Sequence, residues 1–222
     1  MASISVFDVL GPNMIGPSSS HTAGASSIAY LAQKMAGGNI AKVRFVLYGS
    51  FAETYHGHGT DKALLGGILG FKTDDKRIRD SFKIAEDRSV DFKFEINETE
   101  TDVHPNTVDI FIETKNGKKL EVRGESVGGG KCRIVRIDNV PVDFTGEYSA
   151  AIIVQKDMPG VIKHIAGALS DRNINIAFMR LFREGKHERA YTIVETDSSL
   201  PEELKDAILT NKYVEDVMLV QV

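Results

Sequence analysis

The segment SAAIIVQKDMPG, residues 149–160, decides the fold of the second half of the chain. Ser149 to Gln155 is an apolar, β-branched run of strand character, and Lys156 to Gly160 is a turn. Val161 to Arg172 then puts Ile162, Ile165, Ala166 and Leu169 on one helical face. Two strands follow, Ile174 to Arg183 and Arg189 to Glu195, around a turn at Glu184-Gly185-Lys186. Pro201 opens a helix that runs to Thr210, and Val214 to Val222 is a last strand. The order is βαββαβ, the ferredoxin-like plan of a four-stranded antiparallel sheet covered on one face by two helices. About 75 residues suit one such unit.

Upstream of Thr145-Gly146-Glu147 the pattern differs, so two domains are expected, 1–145 and 148–222, of α+β (mixed α/β) class. The 222 residues are 42% apolar and 26% charged with a net charge of -4, and they hold no basic run that would suit nucleic acid. No apolar stretch approaches membrane-spanning length, and the N-terminus has no basic segment leading into an apolar one. With a single cysteine, Cys132, no internal disulfide forms, and cytoplasm is the expected compartment. One thiolate is also too few for a metal cluster that needs several. Cys132 is read as a small buried hydrophobe, and no metal ligand is assigned to this chain.

The first domain opens with Ile4 to Leu10, a short strand or helix, and then Gly16-Pro17-Ser18-Ser19-Ser20-His21-Thr22. Ile28, Leu31, Ala32 and Met35 mark a helix after this run, which fades at Gly37-Gly38. The serines therefore sit at a helix start, where unpaired N–H groups and the dipole attract anions. They are either a cap or a site for a carboxylate or phosphate.

Lys42 to Tyr48 is a strand. Past it, His56-Gly57-His58-Gly59 reads as a solvent loop, a proton-transfer site or a metal site, and Thr60-Asp61 as the cap of a helix through Leu64, Leu65, Ile68 and Leu69. Residues 73–88 are a charged surface helix on Ile78, Phe82 and Ala85, and Val90 to Ile96 alternates as a strand. Val103-His104-Pro105-Asn106 is an extended polar loop. Val108 to Thr114 and Leu120 to Ser126 are strands, with Asn116-Gly117 as a type I′ hairpin signal. Gly128-Gly129-Gly130 is a bend or bulge, or a nest of anion-binding N–H groups. Lys131 to Ile137 and Val140 to Phe144 are further strands, joined by a turn at Asp138-Asn139.

Three resemblances follow from these residues. The segment from about Glu147 to Val222 is similar to ACT domains, on Asp157-Met158-Pro159-Gly160 after its first strand and Asn173-Ile174-Asn175-Ile176 entering its second. The resemblance implies an amino-acid effector site at Asp157, Pro159, Gly160 and Asn175, usually across a dimer interface. A helix start at Gly160 suits a carboxylate, and Asp157 or Asn175 suits an ammonium or a carboxylate.

The N-terminal part resembles the iron–sulfur-dependent bacterial L-serine dehydratases. The carrying residues are the serine-histidine run, Tyr48-Gly49-Ser50, Gly57-His58-Gly59-Thr60-Asp61, Val103-His104-Pro105-Asn106 and Ser126-Val127-Gly128-Gly129-Gly130, in that order. Some members of that family are one chain. Others split into a β subunit with these motifs, often with an ACT domain, and an α subunit with the cluster cysteines. This chain matches the β subunit pattern and lacks the cysteine-bearing half. The same region also resembles the allosteric substrate-binding domain of some phosphoglycerate dehydrogenases.

The dehydratase resemblance implies a role in turning L-serine into pyruvate and ammonia, beside an α subunit that holds a [4Fe-4S] cluster. It implies substrate-carboxylate contacts from Ser18, Ser19, Ser20 and Thr22, proton transfer by His58 with His21 and His104, and backbone donors from Gly128, Gly129 and Gly130. His56 matches the family pattern less well. A homodimer through the ACT domain is expected, and the isolated chain is expected to be inactive. Two other readings stand beside it, a non-catalytic amino-acid sensor and a histidine metallohydrolase.

Overall fold

The structure is a computed structural model that describes residues 13–221. The expected element at Ile4 to Leu10 lies outside the described residues. Contacts divide the chain into two compact units, with the boundary between Val135 and Arg136.

The first unit is built on β1 (Ile40–Tyr48), β2 (Asp91–Asn97), β3 (Thr107–Thr114), β4 (Lys119–Gly128) and β5 (Lys131–Ile137), and β5 carries the chain over the boundary into β6 (Val140–Phe144). The sheet order is β2-β1-β3-β4-β5-β6. β1 and β2 run parallel, Phe45 pairing with Phe94, so the connection between them must cross over and is helical. Val43, Phe45 and Leu47 point into the core with Ile110, Val122 and Ile134, all fully buried. The facing layer comes from α1 (Ala25–Ala36) and α3 (Thr60–Ile68), which bury Ile28, Leu31, Leu64 and Leu65. Each such aliphatic side chain contributes about 1.5–3 kcal/mol by leaving water.

α1 stops at Gly37 in the left-handed region, φ 80°, as the glycine pair predicts. The opposite face of the sheet is polar. There Arg44 donates to Glu95 at 2.8 Å, and Arg123 grips the buried Asp109 carboxylate with two nitrogens, at 2.6 and 2.7 Å. Tyr48 donates to the same Asp109 at 2.7 Å. Burial and that carboxylate push the Tyr48 phenol up to about 12.

Several local expectations change. His56-Gly57-His58 is not loop but the end of a helix, α2 (Gly49–His58), broken from α3 by Gly59 at φ 70°. Gly59 takes the cap position and makes no side-chain cap, so Thr60 and Asp61 fall inside the first turn rather than capping it. The charged stretch 73–88 is a 3₁₀ turn, Lys76–Asp80, followed by the short α4 (Ser81–Asp87). The type I′ geometry is not at Asn116-Gly117. Gly117 alone has positive φ there, with Gly117 N–H donating to Thr114 O and Thr114 N–H to Lys118 O, a three-residue loop with a glycine bulge. Gly129 and Gly130, at φ 60° and 78°, form the tight turn between β4 and β5 that needs two left-handed residues.

The second unit follows the expected order. β7 (Ser149–Lys156), α5 (Val161–Ser170), β8 (Ile176–Arg183), β9 (Arg189–Thr196), α6 (Glu202–Leu209) and β10 (Val214–Val220) give an antiparallel sheet ordered β10-β7-β9-β8. Its helix-covered core contains Ile153, Ile165, Leu169, Val194, Leu204 and Val217. β6 packs on β8 and β9 within this unit. Arg180 joins Asp143 of β6, at 3.1 Å, to the buried Glu195 at 2.5 Å.

Candidate active site

The serine run enters the helical layer as a π-helical turn, Ser19–Gly24, continuous with α1. Ser18 is its cap: the hydroxyl accepts His21 N–H at 3.1 Å, and the carbonyl accepts Thr22 N–H at 2.9 Å and the Thr22 hydroxyl. Capping therefore occupies Ser18 and the buried Thr22, and leaves Ser19 and Ser20 half-buried in the first turn, at the positive end of the dipole. A widened turn of this kind recurs at functional sites.

The turn aims His21 across to the next motif. Its Nε2 lies 3.0 Å from Ser50 Oγ and its Nδ1 3.3 Å from Ser18 Oγ. With both ring nitrogens engaged, the imidazole is fixed. Phe51 packs against it in a T-shaped arrangement, ring centroids 5.4 Å apart, and the His58 ring stands nearly perpendicular to it at 4.8 Å. Burial, then the nearby His58, hold the His21 pKa below the ordinary histidine value, against a hydrogen bond that the ring donates to the Ser50 backbone. His21 is thus kept neutral at pH 7, while His58 is exposed on the last turn of α2. His56, on the same helix, turns elsewhere and pairs with the buried Asp61 at 2.9 Å.

The loop carrying His104 comes in through its backbone. Pro105 O accepts Phe51 N–H at 3.3 Å, and Gly49, at φ 48°, has room for no Cβ because Pro105 main-chain atoms lie 2.8–2.9 Å from where it would be. His104 Nδ1 accepts Asn106 N–H at 3.2 Å. The β4–β5 hairpin closes the other side: Ser126 donates its hydroxyl to Ser20 O at 2.9 Å, and Ser27 donates to Gly130 O at 3.4 Å. Gly24 lacks the Cβ that would collide with Ser126.

The structure therefore brings His21 and His58 into contact, and ties in His104 and Gly128–Gly130 through their loops. Ser50 and Ser126 also belong to the site, although the sequence motifs give neither of them a role. The signal for Ser126 is present in the sequence. It occupies an inward position in a strand whose other inward residues are Leu120, Val122 and Gly124, where a hydroxyl needs a partner. Among the described residues, no group of three or more His, Cys, Asp or Glu side chains is arranged to hold a metal. Cys132 is buried, so the chain's own residues do not fit an iron–sulfur cluster. No helix among the described residues is long and apolar enough to cross a membrane.

In the second unit, the Asp157 carboxylate accepts from Arg183 at 3.0 Å and from His187 N–H at 3.3 Å. The Arg183 guanidinium holds it below the usual carboxylate range. Gly160, φ 90°, opens α5 without a side-chain cap, and Pro159 and Asn175 are exposed. Asp157 and Asn175 are not neighbours within one chain. Asp157 follows the end of β7 beside the end of β8, whereas Asn175 precedes β8 at the far end of the sheet. Eight residues of strand, about 25 Å, separate them.

A fixed imidazole, an exposed second one and a serine-rich helix start stand together, groups of the chemical class suited to proton transfer and to holding an anion. Two family models match the chain, Serine dehydratase beta chain over residues 5–136 and ACT domain over residues 149–209. The chain is 42% identical to the L-serine dehydratase, beta chain, of Peptoniphilus asaccharolyticus, over 97% of this chain and 100% of that one. It is 40% identical to the probable L-serine dehydratase, beta chain, of Bacillus subtilis, over 92% of each. A D-3-phosphoglycerate dehydrogenase of Archaeoglobus fulgidus is 26% identical over 86% of this chain but only 37% of its own length. The chain belongs to the serine dehydratase beta chain family and carries an ACT domain.

Proposed function

We propose that this chain is the β subunit of an L-serine dehydratase, completing with an α subunit the active site that converts L-serine to pyruvate and ammonia. The observation that carries the reading is the His21–His58 pair set against the serine-rich helix start. The α-proton goes to a base, the hydroxyl departs as water, and the resulting enamine hydrolyses to pyruvate and ammonia. A Lewis acid for the hydroxyl, on this reading a [4Fe-4S] cluster, belongs to the α subunit.

Within this chain, Ser19 and Ser20 hold the substrate carboxylate with the dipole behind them. Ser18 and Thr22 shape the turn that presents them, and the Gly128–Gly130 hairpin backs it. His58, exposed, takes the proton. His21, bound by Ser18 and Ser50, orients His58 and stays uncharged. His104 completes the wall through its loop.

Amino-acid regulation falls to the ACT domain. Because Asp157 and Asn175 stand at opposite sheet ends, an effector site using both is built from two copies. β8 is an edge strand with Phe178 and Leu181 53% and 42% exposed, a surface suited to pairing. The functional division is the one at 1–145 and 148–222, in a cytoplasmic enzyme.

Co-expression with a cysteine-rich α subunit and anaerobic assay tests the reading. His58→Ala should lower kcat by about 10²–10⁴-fold, and His21→Ala should lower it too. The chain alone should be inactive. Near wild-type turnover in both variants, or activity without the partner, defeats the assignment. The sensor reading draws on the stretch shared with D-3-phosphoglycerate dehydrogenase. Failure to capture the cysteine-rich subunit in a pull-down would favour it.

A further inference from the structure

The carboxylate and the departing hydroxyl of serine have partners in the proposal above, but its α-ammonium has none. Asn106 is the residue whose chemistry is left over. It lies between the two sides of the site. Its N–H donates to His104 Nδ1 at 3.2 Å, and its carbonyl accepts Ser126 N–H at 3.0 Å. Ser126 in turn donates its hydroxyl to Ser20 O in the serine turn. The neighbouring Thr107 is fully buried and donates to His104 O at 2.6 Å, so the loop is fixed on both sides of Asn106.

The main-chain groups of Asn106 are thus satisfied, yet its Oδ1 is buried with no hydrogen-bond partner. A buried acceptor left unpaired costs about 1–3 kcal/mol, so one that sits beside a candidate site calls for an explanation, and a ligand that supplies the missing donor is one. The helix start and serine turn supply N–H and O–H donors, suited to a carboxylate. An ammonium has three donors and no acceptor. A neutral amide oxygen receives it without the negative charge that would repel the substrate carboxylate.

We infer that Asn106 Oδ1 is the acceptor for the α-ammonium of the substrate, and that it makes the site selective for an amino acid over the corresponding hydroxy acid. The inference rests on the dehydratase reading. A site built to bond a substrate N–H discriminates strongly against an analogue lacking it.

The test uses the co-expressed complex, with L-serine as substrate and 3-hydroxypropanoate, serine without its amine, as competitive inhibitor. Asn106→Ala should raise KM for L-serine at least about tenfold and leave the inhibitor constant within about twofold. Asn106→Asp keeps an oxygen acceptor and adds a negative charge that holds the ammonium but repels an inhibitor with only a carboxylate, so the ratio of KM to inhibitor constant should stay at or below wild type, not rise as in Asn106→Ala. That ratio is independent of the fraction of enzyme that folds. An unchanged KM in Asn106→Ala, or a KM and inhibitor constant that rise together, overturns the inference while leaving the dehydratase reading standing. If the wild-type complex does not dehydrate L-serine, the reading falls and the inference with it.

Discussion

At the scale of single residues, His21 shows how packing sets chemistry. Its neutral form is favoured by burial and by the adjacent His58. Below about pH 6.5 the unfolded chain, with its ordinary histidine, binds more protons than the folded one. This group's contribution to stability is therefore full above that pH and declines as pH falls toward the depressed folded value. Replacing His58 by Gln removes the like charge. The His21 titration, followed by its imidazole NMR signals in the isolated chain, should then move up toward 6.5. A shift in the other direction, or none, would show that His58 does not act on it. The gathering of hydroxyls from Ser18 to Thr22 at a helix start is legible from residue types and the apolar pattern after them, but whether each caps the helix or faces a ligand is not. Only the folded turn shows Ser18 and Thr22 spent on the backbone, and the Ser50 partner of His21 comes from a motif 29 residues away.

At the scale of elements, glycines decide how closely the layers approach. Gly67 on α3 faces α1 with no space for a methyl group: its Cβ would fall on Ser26 O and lie 2.7 Å from Ala29 Cβ and 2.8 Å from Tyr30 N. Backbone atoms cannot step aside as a side-chain tip can. Gly67→Ala should destabilise the chain by about 1–3 kcal/mol and spread the helix that supports the serine turn. Gly57 on α2 meets nothing within 4 Å, so Gly57→Ala should raise stability by about 0.5–1 kcal/mol. Opposite shifts in denaturant midpoint at unchanged slope would bear this out, and two shifts of the same sign would not. The same sensitivity to tertiary context explains the elements whose sequence pattern misleads. Two glycines next to two histidines look like a loop, but Phe51 and Ala52 bury one side of that segment and fold it as α2. Asn116-Gly117 has the residues for a type I′ turn, but strand register makes the loop one residue longer, and the glycine pair at Gly129-Gly130 takes that geometry.

At the scale of the whole molecule, the βαββαβ cycle is legible because each element is short, strongly patterned and bounded by Gly or Pro turns. The passage between units is less so. The change of pattern at Thr145 follows β6, yet β6 packs on β8 and β9, and Asp143 and Asp138 bond Arg180 and Tyr191 there. Sequence periodicity reports which face of a strand is buried and does not report which sheet buries it. What sequence motifs place together can likewise be far apart, as Asp157 and Asn175 are, and this gives the effector site a stringent test. If each site takes Asp157 from one copy and Asn175 from the other, Asp157→Ala and Asn175→Ala chains each lose effector binding as homodimers. Mixed after unfolding and refolding together, they form heterodimers in which one site has both residues and the other neither. About half of the assembled dimers should be such heterodimers, so binding should return at about one quarter of the wild-type stoichiometry, with wild-type affinity for each restored site. Calorimetry with a panel of amino acids, first on the wild-type chain to find the ligand, measures this directly. Binding by either mutant homodimer, or no recovery in the mixture, would show that the two residues do not share a site between copies.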